Sequence, residues 1–462
     1  DNVESRGLGD VYKRQDLYLN PSQKLHTLYI SPLKALASDI KRNLETPIKE
    51  LDLKISVEDR TGDTKQSIKK KQRVIPPNIL LTTPESLALL MSYPEAPSIF
   101  SSLKRIIVDE IHAITESKRG DQLFLAISNI RKYCLDAKII GLSATVNDPS
   151  LIAGWLAPTN DCDIILSDPG LVPEISILAT SEPPPWAGAG GLYSIPEIIT
   201  EIETHKTTLI FHNTRAQAEI FFHNLWLANS KNLPIAIHHG SLDKEQRNHV
   251  ETAMVRGELR AVVCTGSLDL GIDWGSVDLV IQIGAPRQVK RLIQRIGRAN
   301  HSRSGASKGL IVPANRLEVL ECFMALDAIY ENKLDSELQT QIPLDVICQH
   351  LLLVACAGPF MPLDIFNEIR TIEKYKNFNR EDFDQCLDFC ISGGYALKKY
   401  NQWHRLIQTS NGAVKLRDPR IANRLRMNAG TIQDSDTLKV RYKSKRGKSK
   451  GSTIGEVEEA FA

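Results

Sequence analysis

No stretch of this 462-residue chain is apolar and long enough to span a bilayer, and no signal-peptide pattern opens it. The reading that follows is a cytoplasmic protein with no membrane contact. Cysteine is sparse, eight residues in all, and none has the spacing of a zinc site. Cys386 and Cys390 stand four apart, which puts them on one helix face as core residues, and unpatterned thiols suit a reducing compartment. An excess of one charge is also lacking. The chain has 57 Lys and Arg against 55 Asp and Glu, a formal charge of +2. Any nucleic-acid surface must therefore be a local groove and not a whole-protein field. The last absence is the sharpest. No Gly-x-x-x-x-Gly-Lys-Ser/Thr occurs, so the sequence offers no backbone N–H cradle with its phosphate lysine and cation-binding hydroxyl. Gly447-Lys448-Ser449 is a false lead, because Tyr442 stands where the first glycine belongs.

What is present is organised around Arg105-Ile-Ile-Val-Asp-Glu-Ile-His112. Three β-branched residues without polar alternation fit a strand buried on both faces of a parallel sheet. Working residues of open α/β sheets sit just past the carboxyl ends of such strands, where Asp109, Glu110 and His112 fall. A carboxylate there can hold Mg²⁺ through water, and its neighbour can take a proton from an attacking water.

Taken in order, residues 1–15 have no apolar periodicity, and Asp10-Val-Tyr-Lys-Arg-Gln15 reads as translated adapter text, a non-native scar. Leu25–Ile30, Ile79–Thr83, the Arg105 strand and Lys138–Leu142 alternate with helical stretches such as 33–44, which predicts parallel βαβ units over residues 16–180. Proline and glycine crowd Ser181–Gly191, giving a linker over 181–197. Strands at Thr207–Phe211, Ile235–His239, Ala261–Cys264, Leu279–Ile283 and Leu310–Pro313 then predict a second α/β domain over 198–335. Helices at 344–357 and 380–391, followed by strand candidates Tyr395–Leu397 and Trp403–Leu406, suggest a winged helix over 336–425. Trp403, set in that wing, reads as a core residue more readily than as a base wedge. Residues 426–462 would begin a further domain that both looks cut short and carries seven Lys or Arg between Leu438 and Lys450. That run is either a solvated hairpin tip or a phosphate-contacting strand.

Two α/β domains joined by a linker imply a cleft. Gln294-Arg295-Ile-Gly297-Arg298 ends a helical stretch in the second domain, with Gly297 expected to let the backbone turn. An arginine delivered across the cleft neutralises charge on a transferring phosphoryl group. Thr265 to Asp273 follows a strand, and its hydroxyls, glycines and Asp273 could meet phosphate or ribose.

Asp109-Glu-Ile-His112, Ser143-Ala-Thr145 and Gln294–Arg298, in this order, resemble motifs II, III and VI of superfamily 2 helicases. Ser31-Pro-Leu-Lys-Ala-Leu36, Arg60-Thr-Gly-Asp63, Thr82–Leu87, Asn213–Glu219, His238–Leu242, Leu268–Trp274 and Arg298-Ala-Asn-His301 narrow the likeness to the large helicase-related (Lhr) family. Within it, they are most similar to bacterial ligase-associated DEXH-box DNA helicases. The resemblance implies two tandem RecA-like domains, a winged helix and the start of a C-terminal domain, with the phosphate-loop strand and helix of the first domain replaced by the scar. It implies ATP and Mg²⁺ as cofactors and tracking along single-stranded DNA, 3′ to 5′, in repair. By family association a ligase or nuclease would be a partner. RNA or a DNA–RNA hybrid is the alternative substrate, and a non-hydrolysing pseudo-helicase is the alternative function. Asp109 would order Mg²⁺, Glu110 would activate water, and His112 would link the nucleotide to Ser143 and Thr145. Arg298 would be the arginine finger, with Asp269, Gly271, Asp273, Gln294 and Arg295 completing the nucleotide-binding and coupling set. Ser31, Pro32, Lys34, Arg60, Gly62, Thr83, Pro84 and Glu85 would hold a strand in the first domain. Asn213, Thr214, Arg215, His239, Gly240 and Thr265 would do so in the second. His301 stands where many superfamily 2 enzymes have a second arginine. As written, the chain is expected to hydrolyse ATP poorly.

Overall fold

The computed structural model describes residues 24–115, 117–143, 148–156, 162–166, 171–187, 190–269, 277–299, 306–331, 333, 335, 341–400, 403–429, 437–441 and 453–458. Its strands are β1 Thr27–Ile30, β2 Val57–Arg60, β3 Ile79–Thr82, β4 Arg105–Val108, β5 Lys138–Gly141, β6 Glu174–Ile177, β7 Thr207–His212, β8 Ile235–His238, β9 Ala261–Cys264, β10 Val277–Ile283, β11 Lys308–Val312, β12 Leu406–Gln408, β13 Val414–Leu416, β14 Thr437–Arg441 and β15 Thr453–Glu458.

The first five form a parallel sheet in the order β2-β3-β1-β4-β5. Alternate residues leave opposite faces of each strand. Leu28, Leu80, Ile106 and Val108 enter one buried cluster, whereas Tyr29, Leu81 and Ile107 enter another. A sheet covered on both faces needs apolar side chains at every position, which explains the unbroken hydrophobic runs. β6–β11 make the second parallel sheet, in the order β6-β11-β10-β7-β9-β8, again sandwiched between two clusters.

β2 escapes a pattern search because it reads Val-Glu-Asp-Arg and lies at a sheet edge, where charged side chains are tolerated. β6 was also unexpected. It pairs with β11, so the chain has joined the second sheet before the proline-rich stretch, and the first domain cannot run to residue 180 as the spacing suggested. That stretch is pinned to the second lobe: Arg316 donates from its backbone N to the Pro185 carbonyl at 2.9 Å and lies 4.6 Å over the Trp186 ring. Gly191 has φ +69°, and a Cβ there would stand 2.9 Å from Ile283, so both conformation and space call for glycine.

Helices Leu344–Ala357 and Arg380–Ser392 match expectation within a residue, and their thiols behave as core groups: Cys386 Sγ contacts the Leu344 carbonyl and Cys390 Sγ that of Cys348. The hairpin after them is displaced from its expected place. Residues 394–397 are helical, and the antiparallel pair is β12–β13, turned through Asn411-Gly412 with Gly412 at φ +84°. An Asn-Gly dipeptide is the sequence signal that marks it. Trp403 is not core; it is 42% exposed, with Arg405 5.1 Å over its ring. β14 and β15 pair as a hairpin, while residues 442–450 of the basic run lie outside the described residues.

The winged helix is not a pendant. Ile347, Leu351 and Leu353 belong to the same buried cluster as Leu28 and Ile106 of the first sheet. Lys118 pairs with Asp345 at 3.2 Å, Asn129 donates to Glu368 at 2.8 Å, and Arg426 donates to the Ser92 carbonyl at 2.7 Å. First lobe and winged helix share one core, and the second lobe has its own.

Candidate functional site

Strand register builds the site. Ile30 is level with Thr82 and Val108, Arg60 with Thr82, and Val108 with Gly141. The residues that follow these positions therefore line one sheet edge: Ser31, Thr61-Gly62, Thr83, Asp109-Glu110 and Ser143. In the second lobe Phe211 and His238 are level with Cys264, and Ile283 with His212, so Asn213–Arg215, His239-Gly240 and Thr265 share the equivalent edge.

At the first edge Asp109 is buried and held twice, by the Tyr29 hydroxyl at 2.7 Å and by the Glu110 backbone N–H at 2.9 Å. Glu110 takes φ +47°, a conformation that costs a non-glycine residue about 1–3 kcal/mol. That turn lets Ile111 donate to the Leu142 carbonyl at 3.0 Å and starts the helix His112–Thr115. His112 is buried, with Nδ1 2.8 Å from the Ser143 hydroxyl and Nε2 3.5 Å from the Glu110 carboxylate. Burial drives its pKa down to about 3, and the positive charges of Lys290 and Arg298 push the same way. The imidazole is thus neutral, and two cations of the second lobe are close enough to act on it.

Lys290 lies in the first turn of helix Val289–Ile296 and Arg298 just past its end, and both act on His112 of the first lobe. Arg295 is turned inward and buried, while the exposed Arg291 reaches Asp269 from the surface at 3.1 Å. Arg295 donates from Nε to Asp269 at 2.7 Å and from its other nitrogens to Asp269 and Gln282, and lies 4.8 Å over Phe211. Arg295 and Asp269 are therefore bound to each other, and Asp269 is shared with Arg291. Gly297 turns the chain with φ −60°, so left-handed freedom is not used there. Lys290 was missed in the sequence, though its place one turn before Gln294 marks it. Thr145, Gly271, Asp273 and His301 lie outside the described residues.

The strand-contact residues divide. Lys34 is exposed and pairs with Asp63 at 2.9 Å, and a Cβ on Gly62 would meet its Nζ at 3.0 Å. Ser31 bonds its own loop at Leu33, Thr83 bonds Ser86 and precedes Pro84 at the helix start, and Arg119 ties Glu85 to the Pro32 carbonyl. Arg60 turns from the edge, donating to the Lys69 carbonyl at 2.9 Å and Gln72 at 3.2 Å. In the second lobe Asn213 holds the Ala285 carbonyl, Thr214 caps the helix Arg215–Ala228, Arg215 reaches Ser241, and His239 lies 3.3 Å from Glu219.

A hydrated Mg²⁺ fits this donor set. Each Asp109 oxygen accepts one hydrogen bond and keeps a lone pair for a bound water. Among the described residues no three His, Cys, Asp or Glu side chains gather as a metal cage. Magnesium that keeps its waters and takes one carboxylate plus phosphate oxygens needs no cage.

Buried neutral histidines give the fold a pH limit. His112, His212 and His350 all have pKa values lowered to about 3, chiefly by burial. Each binds a proton more readily unfolded, so its contribution is intact above about pH 6.5 and is lost as pH falls from there toward 3. At pH 5 each should cost about 2 kcal/mol. Urea midpoints measured from pH 8 to 5 should fall steadily; a flat profile would contradict neutral burial.

Three family models match the chain: DEAD/DEAH box helicase over residues 12–152, helicase conserved C-terminal domain over 192–303, and the large helicase-related protein winged helix domain over 327–462. ATP-dependent helicase Lhr-Core protein 2 of Thermococcus barophilus is 36% identical over 95% of this chain and 52% of its own length. The Lhr helicase/uracil glycosylase of Escherichia coli is 31% identical over 94% of this chain and 32% of its own. The structure of Mycobacterium smegmatis helicase Lhr bound to ssDNA and AMP-PNP superposes with a TM-score of 0.80 at 31% identity, over 92% of this chain and 56% of that one. The chain spans about half the length of the first of these relatives. Among the described residues no helix is long and apolar enough to cross a membrane.

Proposed function

The chain belongs to the large helicase-related (Lhr) family, and from that premise we propose that it is the motor part of an ATP-dependent helicase that tracks single-stranded DNA, 3′ to 5′, in DNA repair. One observation carries the reading: cations of the second lobe act on His112, beside Asp109 and Glu110 of the first. A triphosphate between them meets carboxylates on one side and a guanidinium on the other, the arrangement phosphoryl transfer needs. Asp109 would hold Mg²⁺ through water, which when bound supplies charge to the phosphate oxygens. Glu110 takes the proton of the attacking water. His112 passes the state of that site to Ser143, and through Thr145 to the strand. Arg298 stabilises charge on the transferring group, while Asp269 and Arg295 fix the helix that carries it. Gly271 and Asp273 complete the nucleotide site.

The two sheet edges grip backbone and read no bases, so the strand is held without sequence preference. Because the winged helix shares a core with the first lobe, closure of the cleft moves the second lobe against a single body. The two grips then shift relative to each other. The relative whose structure holds ssDNA and AMP-PNP supports DNA as the strand; RNA remains the second reading, since backbone contacts separate the polymers only at the 2′-OH. Ligase or nuclease partnership, and the narrower likeness to ligase-associated helicases, belong to the same proposal.

The test is fluorescence anisotropy with labelled single strands of two unrelated sequences, alongside phosphate release. Equal affinities within about twofold are expected. ATP turnover should be slow with or without DNA, because the sequence has no phosphate loop. Binding only to duplex, or to one sequence, would sink the reading.

A further inference from the structure

Away from the cleft, a cavity of about 810 Å³ opens between the β2 edge of the first sheet and the winged helix. Six cations line it: Arg60 at the end of β2, Lys69, Lys70 and Arg73 on helix Gln66–Val74, Lys415 on β13, and Arg426 on helix Ala422–Met427. Among the described residues the wall carries one carboxylate, Glu95, which already pairs with Arg73 at 3.3 Å. Arg60 is only 3% exposed, and its hydrogen bonds go to a carbonyl and an amide, with no ion pair to an acid among the described residues. Burial pushes its pKa down to about 10, the Tyr93 phenol opposing and the Arg73 charge adding to the fall. Arg426 likewise donates to Ser92, to the Ser92 and Cys356 carbonyls and, at 3.5 Å, to Asn423, all neutral acceptors. Arg426 is half-buried, whereas a buried cation without counter-charge, such as Arg60, is costly unless an anion joins it.

The aromatic on the wall says which part of a ligand fits. Arg73 and Arg426 stand 4.1 and 4.2 Å from the Tyr93 ring centroid. The ring is thus already engaged by two guanidinium groups, which leaves less of it for a base to stack on. The cavity offers charge and N–H donors, which suit phosphate oxygens. It also continues the first-lobe edge: Lys69 donates to the Gly62 carbonyl at 3.2 Å, and Gly62 is the residue packed against Lys34.

We infer that this cavity is a further anion site, which takes the phosphodiester backbone of a nucleic-acid strand where it leaves the cleft past Lys34 and Gly62. The inference rests on the strand-binding reading and deepens it. Walls from the first lobe and the winged helix belong to one body, so this contact holds its shape while the second lobe moves. A strand anchored there stays with the static body during cleft opening.

The experiment uses the full 462-residue chain and a fluorescein-labelled single-stranded DNA of about 30 nucleotides, titrated by anisotropy over a series of salt concentrations. Lys70 and Lys415 are exposed, so Lys70→Ala/Lys415→Ala should fold normally. Each lost phosphate contact lowers the slope of log K against log salt by about 0.7, so the double variant should drop it by about 1.4 and bind about 25-fold more weakly near 0.1 M salt. Lys70→Arg/Lys415→Arg should restore both. Wild-type binding with an unchanged slope in the alanine double variant overturns the cavity assignment alone, whether the cavity is empty or holds an acidic segment of protein. No binding by the wild-type chain overturns the strand reading, and the inference with it.

Discussion

Glu110→Gln should cut nucleic-acid-stimulated ATP hydrolysis by about 10³-fold and leave single-strand affinity within about twofold. The measurement is made on the chain with a Gly-x-x-x-x-Gly-Lys-Thr segment grafted ahead of Leu25, because the sequence has no such loop of its own. Glutamine keeps the size of the side chain and the turn at φ +47°, and removes only the capacity to accept a proton. It also leaves Asp109 with its Tyr29 contact, so nucleotide binding should survive. General-base removal costs about 10² to 10⁴ in rate, whereas loss of a purely structural carboxylate would lower strand affinity and thermal stability together with turnover. The two outcomes therefore separate a proton acceptor from a buried acid that merely orders His112, 3.5 Å away. A loss of under about tenfold would remove Glu110 from the chemistry.

That residue was legible in the sequence because two requirements coincide at it. A strand buried on both faces must be apolar throughout, so the first carboxylate after Ile-Ile-Val marks the strand end, and strand ends are where α/β sheets place their chemistry. The same logic found eight of the ten further strands of the two parallel sheets. It failed at β2 and β6, which lie at sheet edges and are not covered on both sides. It failed again at Tyr395–Leu397, where the left-handed Gly393 and Gly394 lead into a helical turn and the true hairpin waits for Asn411-Gly412. The division of labour among the arginines was also beyond the motif. Gln294–Arg298 gives the residues, but only the fold shows that Arg298 and Lys290 both act on His112 while Arg295 is taken by Asp269. The cavity cations could not have been found by spacing. Arg60 and Arg426 are 366 positions apart in the chain, and only the docking of the winged helix on the first lobe brings them to one wall.

That docking carries the second large effect. Asp121→Leu or Lys374→Met should each cost about 3–5 kcal/mol of stability, with the loss seen as release of the winged helix from the first lobe. Lys374 lies 2.6 Å from Asp121, both are nearly fully buried, and the neighbouring Tyr375 hydroxyl donates to the same Asp121 oxygen at 2.6 Å. The second oxygen, Oδ2, is buried without a hydrogen bond. Burial raises the Asp121 pKa despite the lysine beside it, so desolvation outweighs attraction and the pair is held together by geometry more than by net gain. Lys374 also sits 5.3 Å over Trp155, which packs edge-on against Phe124, so an uncompensated ammonium there has no route to water. Either single change strands one charge, but Asp121→Leu/Lys374→Met removes both and should recover most of the loss. Urea unfolding followed by limited proteolysis near residue 341 checks this. Additive losses in the double variant would mean that the two residues act separately, and the single body against which the second lobe is proposed to move would need another clasp.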